Sequence, residues 1–496
     1  MRDSADLIVV GAGPAGMAAA ATALSGGLRV LLVDSGSALG GQYWRHPPEN
    51  ARPEIPTEDL HHGLRKYRAL SAALSASRAA GRLDLRLAHH VWSVVREGDG
   101  FVLHAVDRRE APTETAVVLR APRLLVATGA YDRQLPFPGW DLPGVLTIGG
   151  IQALLKGGGA VARRRVALGG TGPFLLPVAA GLAARGVEVV AVCEAADPRA
   201  WLRHPGALLS NPGKWAEGTG YAAALARHRI PVRTRTAIVC AEGDERVTSV
   251  RVATVASDGS PRPGTERRIE VDAVGVGWGF TPQLDLLLPL GCDLTPSADG
   301  NAVVAVDGGQ RTSVPGLYAA GEACGVGGAA LAVGEGRLAA ASVLADAGAA
   351  PVLGTMRVAM VRAAVARQRA FARALALAHP IPPAWSSWLT DESVVCRCEE
   401  VTAEAVRTAC AEGGAHDHRQ VKQLTRAGMG WCQGRVCGPA VHCLTACDEA
   451  YVPAERLIAI PITLGALADL DERAFPERPS EPSLNDRPNG RITLND

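Results

Sequence analysis

The first 192 residues of this 496-residue chain contain no cysteine, and seven of the eleven cysteines crowd between Cys396 and Cys447. A disulfide framework spreads its half-cystines through a fold and pairs them evenly. This lopsided, odd-numbered set argues instead for a metal site in a reducing compartment. An excess of one charge is also missing. Lys+Arg number 51 against Asp+Glu 50, a net charge of +1, which leaves no bulk field to recruit nucleic acid or an anionic membrane. Lysine itself is almost absent (Lys66, Lys156, Lys214 and Lys422), a bias that, with 56 glycines, reads as GC-rich codon usage. No stretch of about 18 apolar residues is free of Gly, Pro or charge, so no membrane span is expected. The apolar run near the start, Leu7–Val10, is too short for a signal-peptide core, and a cytoplasmic protein is the expectation.

What is present is a chain with 47 % hydrophobic and 20 % charged residues, enough for a large core. At roughly 150 residues per domain the length suggests about three domains. The first 35 residues read as strand, glycine turn, helix and strand, the βαβ pattern of a parallel sheet, and a second copy runs from Arg165 to Glu194. A polar insertion of helix and strands lies between them, from about Pro47 to Ala121. A long helix is expected over Thr355–Ala378, ended by Pro380-Ile381-Pro382-Pro383.

Gly11-Ala12-Gly13-Pro14-Ala15-Gly16 follows a strand and opens a helix, and Asp34 closes the next strand 18 residues after Gly16. The first glycine permits the tight turn, the second lets backbone approach a pyrophosphate, and the third lets helix pack on strand. The helix N-terminus offers amides and a positive dipole end, and Asp34 can accept hydrogen bonds from a ribose. The second motif, Gly170-Thr171-Gly172-Pro173-Phe174-Leu175, has Leu175 where a third glycine would stand. Glu194 closes its following strand with no Arg nearby for a 2′-phosphate, which disfavours NADP. NAD, another adenine nucleotide such as ATP, and an empty site all stay open.

Cys396-Arg397-Cys398, then 33 residues, then Cys432-Gln433-Gly434-Arg435-Val436-Cys437 offers four thiolates. Four thiolates suit a [2Fe–2S] cluster, with the amides of Gly434 and Gly438 available to its sulfurs. Zinc is the rival, although CxC…Cx4C departs from the CxxC pairs of zinc knuckles. Cys410, Cys443 and Cys447 read as core thiols, and His46, His61 and His62 as structural or surface histidines.

Gly40-Gly41-Gln42, Thr128-Gly129-Ala130 and the run Thr312–Glu322 resemble the FAD contacts of flavoproteins with two dinucleotide-binding domains, such as glutathione reductase and thioredoxin reductase. That resemblance implies FAD contacts at Gly11, Gly13, Pro14, Ala15, Gly16, Asp34, Ser35, Gly41, Gln42, Thr128, Gly129, Gly321 and Glu322. Glu322 stands where most relatives have Asp. A second nucleotide would meet Gly170, Gly172, Pro173 and Glu194. No CxxC lies near the flavin segments, so dithiol exchange is not expected. The cysteine segment resembles bacterioferritin-associated-ferredoxin-like [2Fe–2S] domains, with Cys396, Cys398, Cys432 and Cys437 as ligands.

The whole order of motifs, including Ala127–Arg133, Gly279-Phe280-Thr281-Pro282 and Thr425–Gly430, resembles the A subunits of opine oxidases. It is similar also to the B subunit of hydrogen cyanide synthase and the alpha subunits of heteromeric proline or hydroxyproline dehydrogenases. The implied fold is α/β: two Rossmann-like domains in a glutathione-reductase-like arrangement plus a small helical C-terminal [2Fe–2S] domain. The expected layout is an FAD domain over 1–150 and 281–350 and a second nucleotide domain over 151–280. A helical linker over 351–392, the cluster domain over 393–450 and an extended tail over 451–496 follow. The implied partner is a flavoprotein, oxidase-like beta subunit, with a small third subunit in some complexes. The partner would oxidise a C–N bond and this chain would relay electrons to a quinone or other acceptor. The resemblance assigns no catalytic base or nucleophile to this chain. A stand-alone NADH-dependent reductase and a nucleotide-holding scaffold are the alternatives.

Overall fold

The computed structural model describes residues 5–47, 60–61, 63–158, 164–445, 449–456 and 458–470. Strand Leu7–Val10 is buried at every position, as expected of a central parallel strand covered on both faces. It lies in the middle of a five-stranded sheet ordered Leu317–Ala319, Leu124–Val126, Leu7–Val10, Val30–Val33, Leu83–Arg86, all parallel. Strand Leu83–Arg86 therefore belongs to the first sheet, although it falls within the expected insertion. The rest of that insertion includes a helix, Leu64–Ala79, and a three-stranded antiparallel sheet, His89–Glu97, Gly100–Asp107 and Thr115–Ala121.

The second sheet, also parallel, runs Val232–Thr234, Glu188–Glu194, Arg165–Gly170, Ala273–Gly277, Val145–Thr147. It already begins at Val145, so the expected boundary at 150/151 falls inside the helix Ile148–Gly158 that follows. Ala130–Asp132 and Phe280–Pro282, the two segments that pass between the sheets, pair antiparallel.

Helix Ala329–Asp346 packs along Pro14–Ser25, the helix that opens at the first glycine motif. Gly336 marks the closest approach: a Cβ there would stand 2.1 Å from the Ala15 carbonyl oxygen. The long helix Thr355–Ala378 forms as expected and ends before the prolines.

The cysteine segment builds a hairpin, Val394–Cys396 with Val401–Thr402, and helices Ala403–Ala411, His418–Thr425 and Gly438–Leu444. Thr402 and Asp417 cap the first two of these helices with their side-chain oxygens. This segment shares one apolar core with the second sheet through Trp140, Trp278, Trp385 and Trp388, and the Trp140 indole donates to the Val394 carbonyl at 2.6 Å. The expected extended tail is corrected over 451–470. Tyr451 bridges to Asn301, and helix Leu464–Ala468 sets Ala466 against Trp92 of the three-stranded sheet. Residues 471–496 lie outside the described residues. Among the described residues no helix is long and apolar enough to cross a membrane.

Candidate functional site

The first glycine motif sits at the carboxyl edge of the first sheet, where open α/β sheets bind ligands. Gly11 has φ +104°, and a Cβ on it would meet the Ala127 carbonyl oxygen at 2.3 Å; one on Gly16 would meet that of Gly11 at 1.7 Å. A Cβ placed on Gly13 would have nothing within 4 Å, an open approach to backbone that a pyrophosphate can use. Gly41 closes over this point, its Cβ position 2.8 Å from Gly13 Cα. Pro14 and Ala15 form the first helical positions, with Ala15 buried and Pro14 half-buried. Asp34 accepts the Ala12 amide at 2.5 Å and the Gly36 amide at 2.6 Å, and burial holds its carboxyl above the usual range. The cradle fits the adenosine diphosphate half of FAD: open backbone, a helix N-terminus and a buried acid at the ribose distance of the motif.

Other expected flavin residues are placed less uniformly. Gln42 is exposed and accepts from the Arg45 guanidinium at 3.0 Å; Ser35 is exposed. The Thr128 hydroxyl donates to the Gln283 carbonyl at 2.8 Å, and Gly129 has φ +80°. Gly321 donates its amide not to Glu322 but to Glu335, at 2.9 Å. Glu335 is 1 % exposed and pairs with Arg369, which also donates to the Gly325 carbonyl at 2.6 Å. Burial, with the Glu335 charge adding to it, pushes Glu322 up to about 7, against the Gly328 amide and Arg369, which favour its ionised form. Glu335 and Arg369 thus anchor the return loop, and sequence reading missed both. The one available signal was a Glu between two glycines, Gly334-Glu335-Gly336, inside a helix of small residues. Cys324 in this loop is buried, which pushes its thiol well above the usual range, away from thiolate chemistry.

The second motif repeats the layout. The Gly172 and Ala196 amides both donate to Glu194, each at 2.9 Å, as Ala12 and Gly36 do to Asp34. Gly170 has φ +143° with its Cβ position 1.8 Å from the Gly277 carbonyl oxygen, and space is open around Gly172. Leu175, in place of a third glycine, is buried at the start of its helix, and Pro173 lines the adjoining cavity. That cavity, about 1010 Å³, runs from Thr171–Leu175 to Cys324–Val326 under helix Thr355–Ala378. None of Gly13, Gly41 or Thr128 lines it. His379, which no sequence pattern marked, stands at its rim. The Trp201 indole donates to His379 Nε2 at 3.0 Å, which leaves Nδ1 protonated and 3.5 Å from the Glu194 carboxylate. His46 is structural, bonded to the Trp44 carbonyl and the Tyr67 hydroxyl, and His61 is half-buried; His62 lies outside the described residues.

The cysteines come together. Cys437 stands within hydrogen-bonding reach of Cys396 and Cys432, and Cys398 of Cys432, all four as free thiols, so the four side chains gather in one place. Hydrogen bonds from Cys437 lower Cys396 to about 6 and Cys432 to about 5, the thiolate form a metal takes, while the same contacts push Cys437 itself well up. Amides of Gly428 and Glu399 also face Cys396, and those of Val436 and Gly434 face Cys432. The four sulfurs fit an iron–sulfur cluster in donor type and number. Among the described residues no three His, Cys, Asp or Glu side chains are drawn onto a single metal ion. Two expectations are corrected. Gly438 spends its amide on the Gly434 carbonyl at 2.7 Å, because the turn before its helix already coils with helical spacing, and so has none for a sulfide. Cys443 is exposed rather than a core thiol, while Cys410 packs half-buried against the core; Cys447 lies outside the described residues.

Residues 5–345 match the family model described as pyridine nucleotide-disulphide oxidoreductase, and residues 394–445 match the BFD-like [2Fe-2S] binding domain. The chain is 34 % identical to hydrogen cyanide synthase subunit HcnB of Pseudomonas aeruginosa, over 87 % of this chain and 90 % of that one. It is 34 % identical to the A subunit of opine oxidase from Rhizobium meliloti, over 94 % of this chain and 99 % of that one. The alpha subunit of sarcosine oxidase from Rhizobium meliloti is 29 % identical, over 93 % of this chain and 42 % of its own length. The fold matches L-proline dehydrogenase from P. horikoshii with a TM-score of 0.64 at 20 % identity, covering 94 % of this chain and 79 % of that one. With a family model spanning both sheets and relatives matched over nearly their full length, this chain belongs to the pyridine nucleotide-disulphide oxidoreductase family and carries a BFD-like [2Fe-2S] binding domain.

Proposed function

We infer that this chain is the electron-relaying subunit of a heteromeric FAD- and [2Fe–2S]-dependent dehydrogenase acting on the C–N bond of an amino acid, imino acid or opine. The observation that carries the reading is the cysteine quartet, packed through one core against a two-nucleotide flavoprotein that has no CxxC at its flavin segments. Such a body is built to move electrons onward rather than to reduce disulfides. A separate oxidase-like flavoprotein subunit removes the electrons from substrate. A quinone or similar acceptor, with a small third subunit, completes the assembly. Location in the cytoplasm belongs to the same reading.

FAD and the cluster, when bound, supply the two-electron and one-electron chemistry. The chain's own residues do the holding. The Gly13 turn and the amides of helix Pro14–Ser25 face the pyrophosphate, Asp34 takes the ribose, and Glu335 and Arg369 fix the loop of Gly321 and Glu322. Cys396, Cys398, Cys432 and Cys437 hold the cluster. Gly170, Gly172, Pro173 and Glu194 hold an adenine nucleotide, NAD or ATP, in the second cavity.

An anaerobic titration of the purified chain with NADH, following flavin and iron–sulfur absorption together, tests this. Bands that NADH leaves unchanged and dithionite bleaches are the expected result. Rapid bleaching of both by NADH makes the chain a self-sufficient reductase and refutes the relay. Absence of a flavin band leaves only the scaffold.

A further inference from the structure

Arg435 lies inside the Cys432–Cys437 turn, yet its side chain leaves the cysteine segment. Its Nη2 donates to Asp285 Oδ1 at 2.9 Å and its Nε to Oδ2 at 3.4 Å, a two-point contact with the carboxylate. Nη1 turns back to the Cys432 carbonyl at 3.3 Å, and Nη2 also reaches the Ala459 carbonyl. Both partners are buried, Asp285 to 5 % side-chain exposure and Arg435 to 17 %. Arg456 stands on the same carboxylate at 4.0 Å, with its Nη2 3.5 Å from the Cβ position of Gly434. Two guanidinium groups thus share one carboxylate against the turn, a net positive charge in a buried setting. Tyr131 beside them is held neutral by burial.

Asp285 is tied in turn to the flavin side. Gln283, two residues earlier, donates its amide to the Gly129 carbonyl at 2.9 Å and accepts the Thr128 hydroxyl at 2.8 Å. A continuous set of contacts runs from the Thr128–Gly129 segment through Gln283 and Asp285 to Arg435 and the Cys432 backbone. A buried carboxylate with two cations is costly to form unless the geometry is fixed, and the surplus cation needs an anion to face. A four-thiolate cluster is that anion, and its negative charge grows on reduction.

We propose that Arg435 and Arg456, held by Asp285, are positioning residues that lock the Cys432–Cys437 turn to the flavin-binding domain and set the cluster's reduction potential upward. This rests on the assignment of the four cysteines as cluster ligands. The positive charges favour the more negative, reduced cluster; Asp285 opposes them. Removing either kind of charge therefore moves the potential in opposite directions, which a merely structural role would not do.

The test is an EPR-monitored redox titration of the full chain purified anaerobically with its iron, alongside iron and sulfide analysis. Arg456→Gln and Arg435→Gln are expected to lower the cluster midpoint, and Asp285→Asn to raise it. Arg435→Lys, which keeps the charge and loses the two-point contact, returns the midpoint toward that of the unaltered chain. Loss of iron from Arg435→Gln but not from Arg435→Lys would itself support the positioning role. Arg456→Gln, which leaves the Arg435 hydrogen bond to the Cys432 carbonyl in place, then decides the electrostatic part. A midpoint that does not fall in Arg456→Gln, or that does not rise in Asp285→Asn, overturns the proposal. A chain with its native sequence and no cluster signal would instead overturn the cysteine assignment beneath it.

Discussion

Replacing Glu335 with Ala removes the carboxylate that holds the return loop. Two groups lose their partner. The Gly321 amide, at 2.9 Å from Glu335 Oε2 in a buried position, is left without an acceptor, a cost of about 1–3 kcal/mol. Arg369 loses its counter-charge. Breaking a buried pair costs roughly 3–5 kcal/mol, and Arg369 should sit at the low end, because its side chain is 32 % exposed and keeps the Gly325 carbonyl. The two losses overlap in one network, so about 4 kcal/mol is expected rather than their full sum. That is a large share of a domain stability of about 5–15 kcal/mol. Glu335→Gln keeps an oxygen for the Gly321 amide and forfeits only the charge, about 2 kcal/mol. The assay is urea-induced loss of bound FAD, followed by flavin fluorescence, for the unaltered chain, both variants and each combined with Arg369→Met. The Ala variant should shift furthest, and Arg369→Met should recover part of the loss. Equal shifts for Ala and Gln, or an Ala shift below about 1 kcal/mol, would refute the account of Glu335 as the loop's anchor.

Gly336→Ala puts a methyl group 2.1 Å from the Ala15 carbonyl oxygen and should cost about 1–3 kcal/mol while weakening FAD retention, measured by thermal shift and flavin content. Glu322 has its folded pKa raised to about 7, so the folded state binds its proton more tightly than the unfolded chain. Stability from this group is present below the unfolded value and lost as pH rises toward 7. Glu322→Gln should match the unaltered FAD-free chain at pH 4 and exceed it by up to about 3 kcal/mol at pH 8; a pH-independent difference would sink this reading. Cys398→Ser should abolish the iron–sulfur signal and leave FAD bound, with intact iron stoichiometry in the variant as the contrary result.

Much of this molecule is written locally. Each βαβ unit needs only an apolar strand, a glycine turn and an amphipathic or small-residue helix. Gly11, Gly13, Asp34, Gly170, Gly172 and Glu194 therefore lay where spacing predicted, each acid receiving two backbone amides. The cysteine pairs were legible for the same reason, and helix Ala403–Ala411 forms between them with Thr402 at its cap. The amide of Gly438 was misjudged because the turn before it closes a hydrogen bond from that amide onto the Gly434 carbonyl.

Tertiary structure decided what spans the chain. Glu335 and Arg369 are 34 residues apart and Asp285 and Arg435 150 apart, and no periodicity relates either pair. They meet because helix Ala329–Asp346 packs on helix Thr355–Ala378, and because the Cys432–Cys437 turn lies against the segment that follows Phe280–Pro282. Val145–Thr147 joins the second sheet before any boundary signal, and residues up to Leu470 dock through Ile460, Ile462, Ala466 and Leu467, apolar side chains whose surface only the folded chain supplies. The sequence alone determined the two nucleotide motifs and the thiol quartet, since each depends on neighbours a few residues away. Which buried charges face one another, and so how the quartet is tied to the flavin side, was set by packing between distant elements. A buried charge is tolerated only where such packing delivers its partner.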